Sequence, residues 1–134
     1  MFFSQFFFQE ILLLLDVSGS MDLGIRLTIA KHVVNNIMET LSDDDFVTVL
    51  TFANDTKPLV DEFVDSSGEP ELVQASKENI AQFMMKVKET KVQGTANMTT
   101  ALTAAFLLLE KHRGTKVNIR NCSAAYFQLR WRQS

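Results

Sequence analysis

The chain opens on a run of apolar residues that changes abruptly into a polar loop. Residues 11–15 read Ile-Leu-Leu-Leu-Leu, and Asp16 follows directly. A continuous apolar run of this length is typical of a strand buried on both faces of a parallel sheet. Residues 1–15 as a whole lack a basic start and a small-residue cleavage site, and polar residues interrupt their apolar character. We therefore interpret them as a strand with its lead-in, not as a signal peptide.

Three segments show helical spacing. Residues 25–41 are amphipathic, and residues 76–90 begin at Ser76, a favourable capping residue. Residues 100–112 are rich in Ala and Leu and end near Gly114, which suits a helix C-cap. The predicted core positions of the first helix are Ile25, Ile29, Val33, Ile37 and Leu41, widened by Val34 and Met38; those of the second are Ile80, Phe83, Met84 and Val87.

The remaining strands follow from β-branched and aromatic residues. Residues 46–52 (FVTVLTF) predict a second strand, and a turn follows at residues 53–57. Residues 59–64 predict a short edge strand, since Pro58 at its start suits an edge. A further strand is expected at residues 125–129. This order of elements predicts an α/β fold, with a central, mostly parallel sheet and helices on both faces.

Composition narrows the function. The 134 residues, 46% of them hydrophobic, suit one domain with its own core. The net charge of -3 argues against a nucleic-acid partner, and the single cysteine, Cys122, excludes a disulfide within the chain. There is no catalytic Ser-His-Asp or Cys-His arrangement, so His32 and His112 are interpreted as ordinary helix positions. Residues 43–45 (Asp-Asp-Asp) are interpreted as a solvated acidic turn.

The loop after the first strand carries oxygen-bearing side chains at every second residue: Asp16, Ser18 and Ser20. An extended turn can aim all three at one point, and Gly19 permits a tight backbone. One carboxylate and two hydroxyls are hard donors, which Mg²⁺ and Ca²⁺ prefer. The mouth of an α/β sheet is also where ligands usually bind. The loop therefore predicts a divalent cation site; the alternative is that Asp16 and Ser20 only cap the helix that follows.

In this context, Asp16-Val17-Ser18-Gly19-Ser20 resembles the first motif of the metal-ion-dependent adhesion site of von Willebrand factor type A domains. Residues 26–47 look like the first helix and second strand of the alpha-2/delta auxiliary subunits of voltage-gated calcium channels. Residues 72–75 (LVQA) resemble the segment before the next helix, which inter-alpha-trypsin inhibitor heavy chains share. Residues 41–46 (LSDDDF) favour the channel group. The resemblance covers residues 11–123 of what we interpret as one partial domain over residues 1–134.

The resemblance implies a Rossmann-like fold and a non-enzymatic role in trafficking and modulating a channel. It implies that a bound Mg²⁺ or Ca²⁺ grips a carboxylate of a protein partner, the pore-forming channel subunit. It places the parent protein at the extracellular face of the plasma membrane, anchored through segments outside this chain, or else in secretion. Two alternatives remain: a matrix or protease-inhibitor heavy-chain domain, and an intracellular type A domain with assembly functions.

Two positions depart from the family pattern. The family has a Thr before the third helix where this chain has Ala96. Thr95 is the neighbouring candidate ligand and Thr99 another, unless both are ordinary turn and cap residues. The family's third motif is an Asp at the end of the fourth strand, and alignment through residues 121–123 puts Trp131 there. We therefore expect an incomplete site with reduced cation affinity.

Three Asn-x-Ser/Thr triplets bear on an extracellular location. They begin at Asn54, Asn97 and Asn121. Asn54 and Asn121 are glycosylation candidates. Asn97 is discounted, because it lies in the loop expected to face the metal.

Overall fold

The computed structural model describes residues 9–22, 25–112, 117–123 and 126–132. Within these ranges the chain forms a six-stranded sheet, three α-helices and a short 3-10 helix. The elements in chain order are β1 Gln9–Asp16, the 3-10 helix Gly19–Asp22, α1 Arg26–Glu39, β2 Phe46–Phe52, β3 Thr56–Pro58, β4 Val73–Gln74, α2 Lys77–Glu89, α3 Met98–His112, β5 Val117–Ser123 and β6 Tyr126–Arg132. The proposed C-cap at Gly114 lies outside the described residues.

The sheet runs in the order β3-β2-β1-β6-β5, and β4 pairs with the start of β2. The α/β prediction is confirmed, but the sheet is mixed. Only β1 and β2 are parallel, whereas β1–β6, β2–β3, β2–β4 and β5–β6 are antiparallel. The reason lies in the connections: α1 supplies the long crossover that parallel neighbours require, and the short β2–β3 and β5–β6 links allow only hairpins.

The core has two layers, one on each side of β1. Ile11, Leu13 and Leu15 face α1 and α2, while Leu12 and Leu14 face α3. All five are at most 2% exposed, so the unbroken apolar run is explained by burial on both faces. Each such side chain stabilises the fold by about 2 kcal/mol. Helices on both faces of the sheet are thereby confirmed.

The stripe predicted for α1 is wrong at its beginning. Ile25 and Ile29 are 66% and 48% exposed, and the fully buried side chains are Ala30, Val34 and Met38. A four-residue step advances the helix face by about 40° beyond a full turn, so five such positions fan over about 160°. They therefore do not all reach one interface.

The edge strand lies earlier than predicted. β3 pairs with residues 50–52 through a tight hairpin, and Pro58 ends it at the sheet edge. Residues 59–64 instead leave the sheet, and Val60 and Phe63 turn into the core. Phe63 packs edge-on against Phe83 of α2, with ring centroids 5.0 Å apart.

The second predicted helix is confirmed. The Ser76 hydroxyl accepts a hydrogen bond from the Asn79 amide at 3.3 Å, Phe83 and Val87 are buried, and Ile80 and Met84 are partly buried. α3 begins two residues earlier than predicted. None of the described helices is long and apolar enough to cross a membrane.

Candidate metal site at the end of the first strand

Asp16 is the last residue of β1 and lies beside Phe52, the last residue of β2. Its side chain is only 7% exposed. One carboxylate oxygen, Oδ1, accepts a hydrogen bond from the Ser18 amide at 2.8 Å. The other, Oδ2, accepts none from the described part of the chain. A nearly buried carboxylate thus keeps one oxygen available at the mouth of the sheet.

The two serines complete a cluster of oxygen atoms. The Ser18 and Ser20 hydroxyl oxygens lie 3.0 Å apart, and Ser18 is 2% exposed whereas Ser20 is exposed. A hydroxyl that makes one hydrogen bond still has a lone pair for a cation. The structure therefore places the two hydroxyls together, in the loop whose Ser18 amide binds the Asp16 carboxylate. Their convergence with Asp16 on one cation stays a prediction.

The loop holds this shape through local and long-range contacts. Met21 is buried, and its amide donates to the Ser18 carbonyl at 2.9 Å. This hydrogen bond forms the first turn of the 3-10 helix. The Gly19 amide donates to the Gly94 carbonyl at 2.8 Å. A Cβ on Gly19 would lie 3.4 Å from that same carbonyl oxygen, an ordinary van der Waals contact.

The capping interpretation of the loop is wrong. α1 begins at Arg26, and its N-cap residue is Ile25, which makes no side-chain capping hydrogen bond. Asp16 and Ser20 lie several residues upstream and cap no part of α1. The three oxygen-bearing side chains therefore need another explanation.

The second loop, residues 93–97, lies against the first. Thr95 donates to the Asn54 side-chain oxygen twice, from its amide at 2.8 Å and from its hydroxyl at 2.7 Å. The structure does not bring this hydroxyl into hydrogen-bonding contact with Asp16 or with either serine. Ala96 has no side-chain oxygen, and Asn97 caps α3 by accepting from the Thr100 amide at 3.1 Å. Thr99 is exposed in the first turn of α3.

Trp131 does not occupy a ligand position. β6 runs antiparallel to β1, so Trp131 pairs with Glu10, at the opposite end of β1 from Asp16. At about 3.3 Å per residue these two ends lie about 20 Å apart. The residue of β6 at the Asp16 end is Tyr126, opposite Leu15. The alignment with the family's third motif fails because β6 forms a hairpin with β5, and the sequence contains no Asp or Glu after Glu110.

The acidic turn was only partly interpreted correctly. Asp43 and Asp44 are exposed, but Asp45 is 7% exposed. Its Oδ1 accepts from the Gln9 amide at 2.9 Å, and its Oδ2 accepts from the Ser42 amide and hydroxyl at 3.0 and 3.3 Å. Asp45 therefore ties the start of β1 to the start of β2, a role invisible in a run of three aspartates.

Two side-chain contacts fix the far end of α3. His112 lies 3.2 Å from the fully buried carboxylate of Glu10 and against the ring of Phe46, while His32 is exposed. Lys111 binds Asp65 at 2.5 Å. The Lys111 ammonium, followed by the Ser67 hydroxyl, holds the pKa of Asp65 well below its usual value of 3.8, and the same pair raises the pKa of Lys111 above 10.5.

The donor set fits a hard cation in part. No three His, Cys, Asp or Glu side chains converge anywhere in the described ranges, so zinc-like ligation has no candidate there. Asp16, Ser18 and Ser20 offer oxygen atoms only, which suits Mg²⁺ or Ca²⁺ with water filling the remaining positions. The second loop adds no side-chain ligand as it stands, and a single carboxylate makes this a weak site.

Comparison with known proteins agrees with this architecture. A model of the von Willebrand factor type A domain matches residues 11–122. The human voltage-dependent calcium channel subunit alpha-2/delta-4 is 35% identical over 108 residues, covering 81% of this chain and 9% of that protein. Mouse subunit alpha-2/delta-3 and the Caenorhabditis elegans voltage-dependent calcium channel unc-36 are each 35% identical over 107 residues, 80% of this chain and 9% and 8% of theirs. The chain thus spans about a tenth of the length of these relatives.

Solved structures show the same fold. A von Willebrand factor type A protein from Catenulispora acidiphila superposes with a TM-score of 0.64 at 21% identity, over 76% of this chain and 22% of that one. A membrane-spanning protein from Vibrio fischeri gives 0.53 at 19% identity, over 77% of this chain and 50% of that one. With the family model matching most of its length, the chain belongs to the von Willebrand factor type A domain family.

Proposed function

We propose that this chain is a non-enzymatic protein-binding domain that holds Mg²⁺ or Ca²⁺ through Asp16, Ser18 and Ser20. The observation that carries the proposal is the open oxygen of Asp16. The Asp16 carboxylate is 7% exposed, its Oδ2 atom accepts no hydrogen bond from the described residues, and the two serine hydroxyls lie in the same loop. A cation bound there would use the oxygen that the described residues leave open.

The same residues explain how a partner would be recognised. Asp16 contributes one negative charge and the serines contribute none, so a bound divalent ion keeps net positive charge and attracts a carboxylate from a partner. Ser18 is buried and fixed, which orients the inner side of the site. Ser20 is exposed, which leaves the outer side open to the partner. Preorganised donors of this kind support binding; the described residues around them include no acid-base pair for turnover.

The names of the relatives suggest the partner. They are voltage-dependent calcium channel subunits, so we propose that the parent protein is an auxiliary subunit and that this domain binds the pore-forming subunit. Its location would be the extracellular face of the plasma membrane, and its role trafficking and modulation of the channel. In that setting Asn54 and Asn121 remain predicted glycosylation sites.

Calorimetric titration with Mg²⁺ and Ca²⁺ tests the cation site. We expect binding by the unmodified chain and none by Asp16→Ala. The matched control is Asp44→Ala, which removes the same charge from an exposed aspartate at the other end of the sheet. Equal binding by both variants and the unmodified chain would refute the assignment.

A further inference from the structure

Three loops meet beside Asp16: the metal loop at residues 17–20, the β2–β3 turn at residues 53–55, and the second loop at residues 93–97. Backbone hydrogen bonds join them. Two bonds join the second loop to the metal loop: the Gln93 amide donates to the Val17 carbonyl at 2.6 Å, and the Gly19 amide donates to the Gly94 carbonyl at 2.8 Å. The third joins the second loop to the β2–β3 turn, since the Asn97 amide donates to the Ala53 carbonyl at 2.8 Å. The metal loop is thus supported from outside by the second loop, which rests in turn on the β2–β3 turn.

The Asn54 side chain holds the second loop in place. Its Oδ1 atom accepts both the amide and the hydroxyl of Thr95, at 2.8 and 2.7 Å. Gly94, just before Thr95, has a φ of +64°, and a Cβ there would lie 3.0 Å from the same Oδ1. Gly94 is therefore required both for its left-handed backbone and for the close approach of Asn54.

We propose that Asn54 is a positioning residue for the cation site, an inference that rests on the proposed function. The chain of contacts is short. Asn54 fixes Thr95, which fixes the Gly94 carbonyl, and that carbonyl fixes Gly19 between the two serine ligands. Thr95 then supports the metal loop through Asn54 and is not itself a ligand.

The Asn54 triplet calls for a control that separates this role from glycosylation. A glycan attaches to the side-chain nitrogen, whereas both hydrogen bonds from Thr95 use the oxygen. Thr56→Ala removes the triplet and leaves Asn54 in place. The Thr56 hydroxyl is a buried atom without a partner among the described residues, so its removal is tolerated.

The experiment compares Asn54→Ala, Asn54→Asp and Thr56→Ala in the 134-residue chain. The readouts are Mg²⁺ and Ca²⁺ affinity by calorimetry, and amide hydrogen exchange at Thr95 and Gly19 in chelator. Asn54→Ala is expected to weaken cation binding by about tenfold, in the range seen for supporting residues of metal ligands, and to speed exchange at both amides. Asn54→Asp keeps an acceptor oxygen and should bind at least as tightly as Asn. Thr56→Ala should change neither readout.

Thr95→Val is made alone and combined with Asn54→Ala. These variants distinguish a Thr95 that supports the metal loop from a Thr95 that binds the cation. If Thr95 acts through Asn54, the double variant binds the cation no more weakly than Asn54→Ala. A further loss in the double variant would make Thr95 a ligand and overturn the inference. So would unchanged affinity in Asn54→Ala when Asp16→Ala abolishes binding. If the unmodified chain binds neither cation, the proposed function fails, and so does the claim that Asn54 affects cation affinity. In that case, amide exchange at Thr95 and Gly19 alone decides whether Asn54 holds the loop.

Discussion

Asp16 and Asp45 lie at opposite ends of the same pair of parallel strands, and each is 7% exposed. Asp45 accepts three hydrogen bonds, with both oxygens engaged. From the described residues Asp16 accepts one, with a single oxygen engaged. Equal burial therefore accompanies two different roles. The unused acceptor capacity of a buried carboxylate, more than its burial, indicates where a ligand belongs.

Glu10 is a third buried carboxylate, and its environment differs from those of Asp16 and Asp45. It is fully buried, and the Nδ1 atom of His112 lies 3.2 Å from its carboxylate. Asp45 has neutral donors and Glu10 has a basic partner, but Asp16 has neither a full set of donors nor a basic side chain within ion-pair distance in the described ranges. This difference is why we propose a cation as the partner of Asp16.

The largest expected effect on stability comes from removing the carboxylate of Asp45, whose two oxygens both accept hydrogen bonds. Asp45→Ala leaves the amides of Gln9 and Ser42 without an acceptor at the edge of the core, and we expect a loss of about 3 kcal/mol in the free energy of unfolding. Urea denaturation measures it. Asp44→Ala, at the exposed neighbouring position, should change the stability little. Similar values for the two variants would show that Asp45 has no special structural role.

Substitutions of Ser18 and Ser20 test the proposed cation site beside Asp16. Ser18→Ala and Ser20→Ala should each weaken cation binding by about tenfold, or about 1.4 kcal/mol, because each removes one oxygen ligand. In chelator both variants should remain close to the unmodified chain in stability, since among the described residues each loses only the hydrogen bond between the two hydroxyls. Calorimetric titration checks the first expectation and urea denaturation the second. A stability loss in chelator as large as that of Asp45→Ala would place Ser18 among the structural residues instead.

The smallest effect concerns Asp65, a partly buried carboxylate whose two oxygens both accept hydrogen bonds. It accepts from the Ser67 amide and hydroxyl, the Glu69 amide and Lys111. Because its pKa is lowered in the folded state, its contribution to stability is present above pH 3.8 and is lost as the pH falls through the lowered value. Asp65→Asn should therefore reduce stability slightly at neutral pH, with the difference shrinking in acid.

Denaturation of Asp65→Asn at several pH values measures this difference. Lys111→Met provides the control, because it should raise the pKa of Asp65 toward its usual value in an NMR titration. An Asp65 pKa that stays the same in Lys111→Met would show that the ion pair is not its cause.

Local patterns predicted the central strand and the second helix with its Ser76 cap, and they located the loop that holds Asp16, Ser18 and Ser20. Each depends on neighbouring residues in one element. Contacts between distant segments were missed, because no local pattern encodes them. The bond from Thr95 to Asn54 spans 41 positions and that from Gln9 to Asp45 spans 36. Trp131 was misplaced because the alignment with the family could not show that β6 runs antiparallel to β1.

The most direct test compares the unmodified chain, Asp16→Asn and Asp45→Asn by urea denaturation, in chelator and then in saturating Mg²⁺ or Ca²⁺. At a cation concentration of a hundred times Kd, a single site in the folded state adds about 2.7 kcal/mol to the free energy of unfolding. We predict that increment for the unmodified chain and for Asp45→Asn, although the latter starts from a lower stability, and none for Asp16→Asn. The same increment in Asp16→Asn would contradict the claim that its open carboxylate oxygen holds the cation.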